Sequence, residues 1–370
     1  MKPIDFNTFL RRWCIIGVLI GSTLSTIIGR VLTKQKSYYY ACGEKIYQTY
    51  QSNWFVLIVM SLAMMLGIPI SIISKKIQGN QAQLPIPNKI LLMLPLVSIF
   101  DILESFITMF LISGINAYYT SITSIMVIIT LIIFRSKFLN KRMYAYMWVS
   151  VVLALCSIIC VSIPAINSNK SVIKSAKEII TVIFICILDV ILRAGQITIS
   201  EYVLHNCDID PEMFTGIIGS CNLLLVLFIF CPIVHFIPLK DLQESICQTV
   251  FFVFHSRTLI FTVFVHFIIL GIFNFCCNRF ILYTNALSFS LYKLLSEPLK
   301  AIHNIITVLV PSYILYQHHE KKEIILSIVF NTISAIFIVM SLLLASEIVH
   351  IPCSDYPECD KYVIPMARIE

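Results

Sequence analysis

Three pairs of ionisable side chains sit inside runs that are otherwise apolar: Asp101 with Glu104, Asp189 with Arg193, and Lys293 with Glu297. Asp101 and Glu104 are three residues apart, so a helix puts both on one face. Two carboxylates that close do not readily ionise together in a low dielectric, so the pair can keep a proton or hold a cation. The bland alternative is a helix shifted slightly along its axis, with Asp101 at a wet end. Lys293, Glu297 and Lys300 follow i, i+4, i+7 spacing and make one polar stripe. Pro298 follows Glu297 and frees the backbone carbonyl of Leu294. A base beside a broken helix is an anion site in many carriers; an internal Lys–Glu pair that only neutralises itself is the competing reading. Asp189 and Arg193 form an i, i+4 pair, and Gln196 on the same side can hydrogen-bond a solute or another helix. Asn274 and Asn304 fit interhelical hydrogen bonding or ligand contact. His266 and His303 stand alone.

These residues matter because of what surrounds them. Ten apolar stretches, each of about 20 residues, match the length needed to cross a bilayer core. They run near Trp13 to Ile28, Asn53 to Ser74, Ile90 to Ile112, Tyr118 to Phe134 and Tyr146 to Ile163. The others run near Ile179 to Ile199, Met213 to Phe236, Leu259 to Leu282, Leu287 to Val310 and Ile324 to Ala345. The chain is 58% hydrophobic and only 13% charged, with a mean hydropathy of +0.88. A charge at the bilayer centre costs about 2.5–3.5 kcal/mol on insertion scales, so such groups face a bundle interior or a wet cavity. The expectation is an all-α polytopic membrane protein with a polar pathway through it.

Other classes are excluded on the same page. A net charge of +7 without a basic cluster argues against nucleic acid. The Lys and Arg residues flank the apolar stretches instead, as contacts to membrane lipid do, and they divide almost evenly between the two sides of the membrane. No G-x-S-x-G, H-E-x-x-H or P-loop is present, so neither a catalytic residue nor a cofactor is expected. The cysteines lack metal-ligand spacing, and no metal is expected. An intramembrane aspartyl protease on Asp101 and Asp189 lacks a glycine beside either acid. The N-terminal run ends in Gly29-Arg30 without a small-x-small cleavage site, which reads as a retained first span.

Short links recur at Ser113 to Asn116 and at Tyr283 to Ala286, forcing the joined helices to lie antiparallel. Asn116-Ala117-x-x-x-Ser121 echoes Asn285-Ala286-x-x-x-Ser290. The expected layout is one five-helix repeat over 1–166, a second over 167–346 and a tail over 347–370. Five helices per half make the repeats inverted, a design common among secondary transporters.

The layout resembles the drug/metabolite transporter superfamily. Within it the chain is similar to the solute carrier 35 group, in particular its F6-like branch, and to chloroquine-resistance-transporter-like proteins. Asp101 matches the acid that opens the polar face of the third helix. Gln196 and Glu201 match the end of the sixth, with Ser200 replacing an acid. Lys293, Glu297 and Lys300 match the base–acid–base series of the ninth. Phe214 to Pro238 with Asp241, Glu244 and Cys247-Gln248, and Phe273-Asn274-Phe275, are similar too. Ser121 and Ser124 stand where a Gln and an Arg are usual, Ile218 where a Glu is, and Glu104 where a small residue is. The loss of positive charge and the added acid point to a less anionic solute.

The resemblance implies alternating-access transport of a small polar metabolite, nucleotide-sugar-like or another organic solute. It implies an endomembrane location (lysosome, Golgi or endoplasmic reticulum) with both termini in the cytosol. Asp101, Glu104, Gln196, Asn274, Lys293 and Glu297 are the expected solute-binding residues. A transport-inactive scaffold or regulator of the same fold is the alternative, and a homodimer stays open.

Overall fold

The computed structural model describes residues 6–41, 44–49, 53–77, 88–110, 118–141, 144–168, 176–207, 209–236, 246–296 and 321–345. Helix α1 spans Phe6–Lys34 and leads into a hairpin, β1 (Lys36–Ala41) and β2 (Glu44–Thr49). Then come α2 (Asn53–Met65), α3 (Gly67–Ile77), α4 (Asn88–Phe110), α5 (Tyr118–Phe138), α6 (Ala145–Ser168) and α7 (Ala176–Asn206). Helix α8 (Pro211–Leu225) continues through a π-helical turn (Val226–Phe230) into α9 (Cys231–Phe236). The last described elements are α10 (Ile246–Phe254), α11 (Arg257–Tyr283), α12 (Ala286–Leu294) and α13 (Lys321–Ala345). Among the described residues, four continuous helical stretches are long and apolar enough to cross a bilayer: Trp54–Ile77, Ile180–Asn206, Pro211–Ile233 and Arg257–Tyr283. Shorter apolar helices accompany them at Trp13–Gly29, Ala145–Cys160 and Val329–Leu344.

The architecture is helical and apolar, that of an integral membrane protein. Its polarity is inverted relative to a water-soluble fold. Phe184, Phe228 and Phe261 lie exposed on the outer surface, while Asp101, Asp189, Arg193, Arg135 and Glu201 are buried. A lipid solvent tolerates the first set and excludes the second.

Two elements lie outside the expected spans. The segment after α1 pairs as an antiparallel hairpin, with Tyr38 opposite Tyr47 and Tyr39 opposite Ile46. Tyr and Ile favour extended backbone. The stretch between the seventh and eighth expected spans contains α10, which packs against β1.

Helix neighbours are fixed by small residues and hydroxyls. Met64, Met65 and Ser61 of α2 lie 2.6–2.8 Å from where a Cβ on Gly219 would stand. A Cβ on Gly216 would stand 2.5 Å from the Ile68 nitrogen of α3. Two glycines three apart on α8 thus admit the α2–α3 backbone, as small residues at helix interfaces do in membranes. Gly219→Val therefore drives two backbones apart. Overpacking of this kind typically costs about 1–3 kcal/mol, and a lowered melting temperature in detergent checks it. Helices α6 and α13 are stitched by Ser150 with Ser341 (3.0 Å between hydroxyls) and by Ser157 with Ser334 (2.7 Å). Helix α1 packs on α11, α4 on α7 and α8, α5 on α7 and α12, and α2 on α8 and α11.

Candidate functional site

The ionisable residues of α4 and α7 meet in the interior. Asp101 of α4 accepts hydrogen bonds on both carboxylate oxygens, from Gln196 Nε2 of α7 at 2.7 Å and from Asn222 Nδ2 of α8 at 2.6 Å. One helical turn along α4, Glu104 Oε1 lies 2.7 Å from Arg193 Nε. Arg193 also reaches back along α7 to Asp189 at 3.4 Å. Thr108, a further turn along α4, receives a hydrogen bond from Arg193 at 2.7 Å and donates to Asp189 Oδ1 at 3.1 Å. Lys293 of α12 has its Nζ 5.9 Å from the Phe273 ring centre on α11, a cation–π distance. Its charge acts through space on Asp101 and on Glu104.

Helical spacing explains the two acids' separate partners. Residues three apart share a face but differ by about one turn in height. Asp101 meets the amides of Gln196 and Asn222, whereas Glu104 meets the guanidinium. Arg193 is thus shared by acids on two helices, where the sequence offered only the local pair with Asp189.

Asn274 gives its amide to Leu270 O of its own helix at 2.9 Å. Ser290, near Lys293, is buried, and its Oγ has no hydrogen-bond partner among the described residues. His266 is buried on α11. Glu297, Lys300, His303 and Asn304 lie outside the described residues.

A second charged assembly lies at the end where α7 passes to α8 and α11 to α12. Glu201, 1% exposed, takes Arg135 of α5 in a two-pronged pair at 3.0 and 3.2 Å. It also takes Lys141 at 3.0 Å and the backbone N–H of Ala286 at 3.3 Å. Ala286 opens α12, so the carboxylate sits on a helix N-terminus, where negative charge is favoured. Asn285 caps the same helix by accepting from Ser288 N at 2.8 Å. Alongside, Glu212 pairs with Arg279, and Asp210 with Lys75 at 2.8 Å. Glu201 lies eight residues beyond Arg193 on α7, a rise of about 12 Å. Toward the opposite end, Trp54 of α2 stacks between Phe106 of α4 and Phe230 of the π turn, with ring centres at 4.7 and 5.5 Å. The polar core therefore lies between an ionic end and an aromatic end.

Sequence reasoning missed Asn222, Thr108, Arg135, Lys141, Glu212 and Arg279. Thr108 was within reach, being four residues from Glu104. Asn222 is an isolated amide in an apolar run, the same signal that singled out Asn274. The loop-side charges carry no such mark, because a solvated anchor and a buried ion pair look alike in sequence.

No family model and no curated protein matches the chain. Among solved structures, one described only as a protein crystal structure is similar over 91% of this chain and 96% of its own. Its TM-score is 0.56 at 10% identity. At that identity the likeness speaks for the fold alone, which is shared nearly end to end.

Proposed function

We propose that the chain is a secondary carrier that moves a small polar solute across an endomembrane by alternating access, in the manner of the drug/metabolite transporter superfamily. The observation that carries this reading is the convergence of Asp101, Glu104, Asp189, Arg193, Gln196, Asn222 and Lys293, drawn from four helices of an apolar bundle. Buried charges are expensive in a membrane and persist where they serve a pathway. In this reading Asp101 and Glu104 take a proton or a cationic group, Lys293 takes an anionic one, and Gln196 orients the solute.

The helix packing supports an inverted repeat. Let the spans be numbered in order, with α2–α3 as the second, α8–α9 as the seventh, α11 as the eighth and α13 as the tenth. The second then packs on the seventh, the fourth on the ninth and the fifth on the tenth. The first packs on the eighth and the third on the sixth, which are images of each other under a shift of five. The third on the seventh and the second on the eighth are likewise images. An exchange between two equivalent five-span halves reproduces these neighbours. The ionic and aromatic ends are then the two places where a rocking motion would part the halves.

The test is uptake or exchange by the purified protein in liposomes against a metabolite panel. Lys293→Ala and Asp101→Asn are each expected to abolish flux while expression stays near normal. Normal transport by both variants would remove these residues from the site. A fold kept as a scaffold or regulator would give no flux with any solute and no solute-dependent thermal stabilisation.

A further inference from the structure

The carrier reading leaves open which chemical group the core recognises, and Asn222 bears on that. Its side chain is fully buried, and only half of it is used. Nδ2 donates to Asp101 Oδ2 at 2.6 Å, which fixes the amide's orientation. The flipped amide would set oxygen against carboxylate oxygen. Oδ1 is therefore a pure acceptor, and it has no hydrogen-bond partner among the described residues. Leaving a buried acceptor unsatisfied is costly, so such atoms call for an explanation at a functional site.

The surroundings specify the donor. Among the described residues, both hydrogen-bond partners of Asp101 are neutral amides, and each carboxylate oxygen retains further acceptor capacity. Arg193 is engaged by Glu104, Asp189 and Thr108. Three carboxylates and two bases meet among the described residues of this core, so an anion entering beside Asp101 meets acceptors and excess negative charge. One turn beyond Asn222 the helix becomes π-helical over Val226–Phe230, and the Val226 N–H is shared between Asn222 O and Leu223 O. Such bulges in helices frequently mark functional sites.

We infer that Asn222 Oδ1 and the Asp101 carboxylate together form the docking point for a protonated primary amine carried by the solute. An ammonium group brings three donors and a positive charge. It can satisfy Oδ1 and both carboxylate oxygens without disturbing the Gln196 and Asn222 amides. This rests on the carrier reading for its purpose but not for its test.

The experiment is thermal stabilisation of the full-length protein in detergent by four probes of one shape: phenethylammonium, its N-trimethylated form, 2-phenylethanol and phenylacetate. Phenethylammonium is expected to stabilise most, because the trimethylated cation keeps the charge and loses every donor. Asn222→Leu is expected to weaken phenethylammonium by about tenfold to a hundredfold, the worth of one charge-assisted hydrogen bond. Its response to 2-phenylethanol should not change. The ranking of probes on the unaltered protein stands as evidence even if Asn222→Leu folds poorly. Equal or greater stabilisation by the trimethylated cation or by phenylacetate overturns the inference, as does no stabilisation by phenethylammonium. Liposome uptake of another solute without any ammonium preference sinks this inference and leaves the carrier reading standing. Ammonium stabilisation without flux of any solute does the reverse.

Discussion

Glu201→Gln is expected to cost about 3–5 kcal/mol of stability, the usual penalty for removing one partner of a buried ion pair. The carboxylate is 1% exposed and the Arg135 side chain 6%, so water cannot replace what is lost. The amide keeps one acceptor but loses the charge that balances Arg135 and Lys141. It also weakens the cap at Ala286, where α12 begins. Three helices come loose at once, because Glu201 joins α7 to α5 and to α12. Removing both charges tells the pair's worth from the cost of stranding one. Glu201→Leu with Arg135→Leu is expected to recover most of the loss, since apolar replacements of buried ion pairs are often neutral or better. A double-mutant cycle on detergent melting temperatures measures the coupling. An unchanged melting temperature in Glu201→Gln would mean that this end is not held by the ionic assembly.

The consequence for transport follows from position. Helices α5 and α12 are the fourth and ninth spans, which belong to opposite halves in the proposed repeat. In the proposed carrier, a tie between them about 12 Å along α7 from the polar core would hold that end shut. Its loss biases the protein toward whichever state parts that end.

How much of this was legible beforehand differs by level. The helical, apolar character follows from composition and stretch length, because the bilayer leaves few other solutions for a spanning chain. Asp189 with Arg193 was legible because i, i+4 spacing is local. That Glu104 shares the same guanidinium was not, since the contact joins α4 to α7 across the bundle and no periodicity encodes which faces meet. The hairpin after α1 was overlooked because a search for spans treats everything between them as linker, although Tyr38, Tyr39 and Tyr40 favour strand. The π turn at Val226–Phe230 holds neither Gly nor Pro, and its only mark in the sequence is Pro232 just beyond, which cannot bond back to the Phe228 carbonyl inside the turn. Asn222 was visible as a lone amide, but its partnership with Asp101 depends on α8 packing against α4, which no local spacing encodes.

Arg193→Met should have the largest effect in the polar core. The substitution keeps most of the side chain's length and apolar stem and removes only the guanidinium. Glu104 and Asp189 are then left as two carboxylates without their shared base, and Thr108 loses its strongest donor. Breaking a buried pair costs about 3–5 kcal/mol per stranded charge, a large share of the roughly 5–15 kcal/mol that holds a typical domain together. Poor expression and a much lower melting temperature are the expected outcomes, with flux abolished in any protein recovered. A cure must remove negative charge rather than restore shape. Adding Glu104→Gln to Arg193→Met is therefore expected to regain stability, whereas adding Asp101→Asn is expected to do so less, because Asp101 is dressed by Gln196 and Asn222 instead of the guanidinium. If both second substitutions rescue equally, the core behaves as one diffuse cloud of charge. If Glu104→Gln alone rescues, the two acids one turn apart on α4 hold separate offices, the first held by the amides of Gln196 and Asn222 and the second anchoring the base.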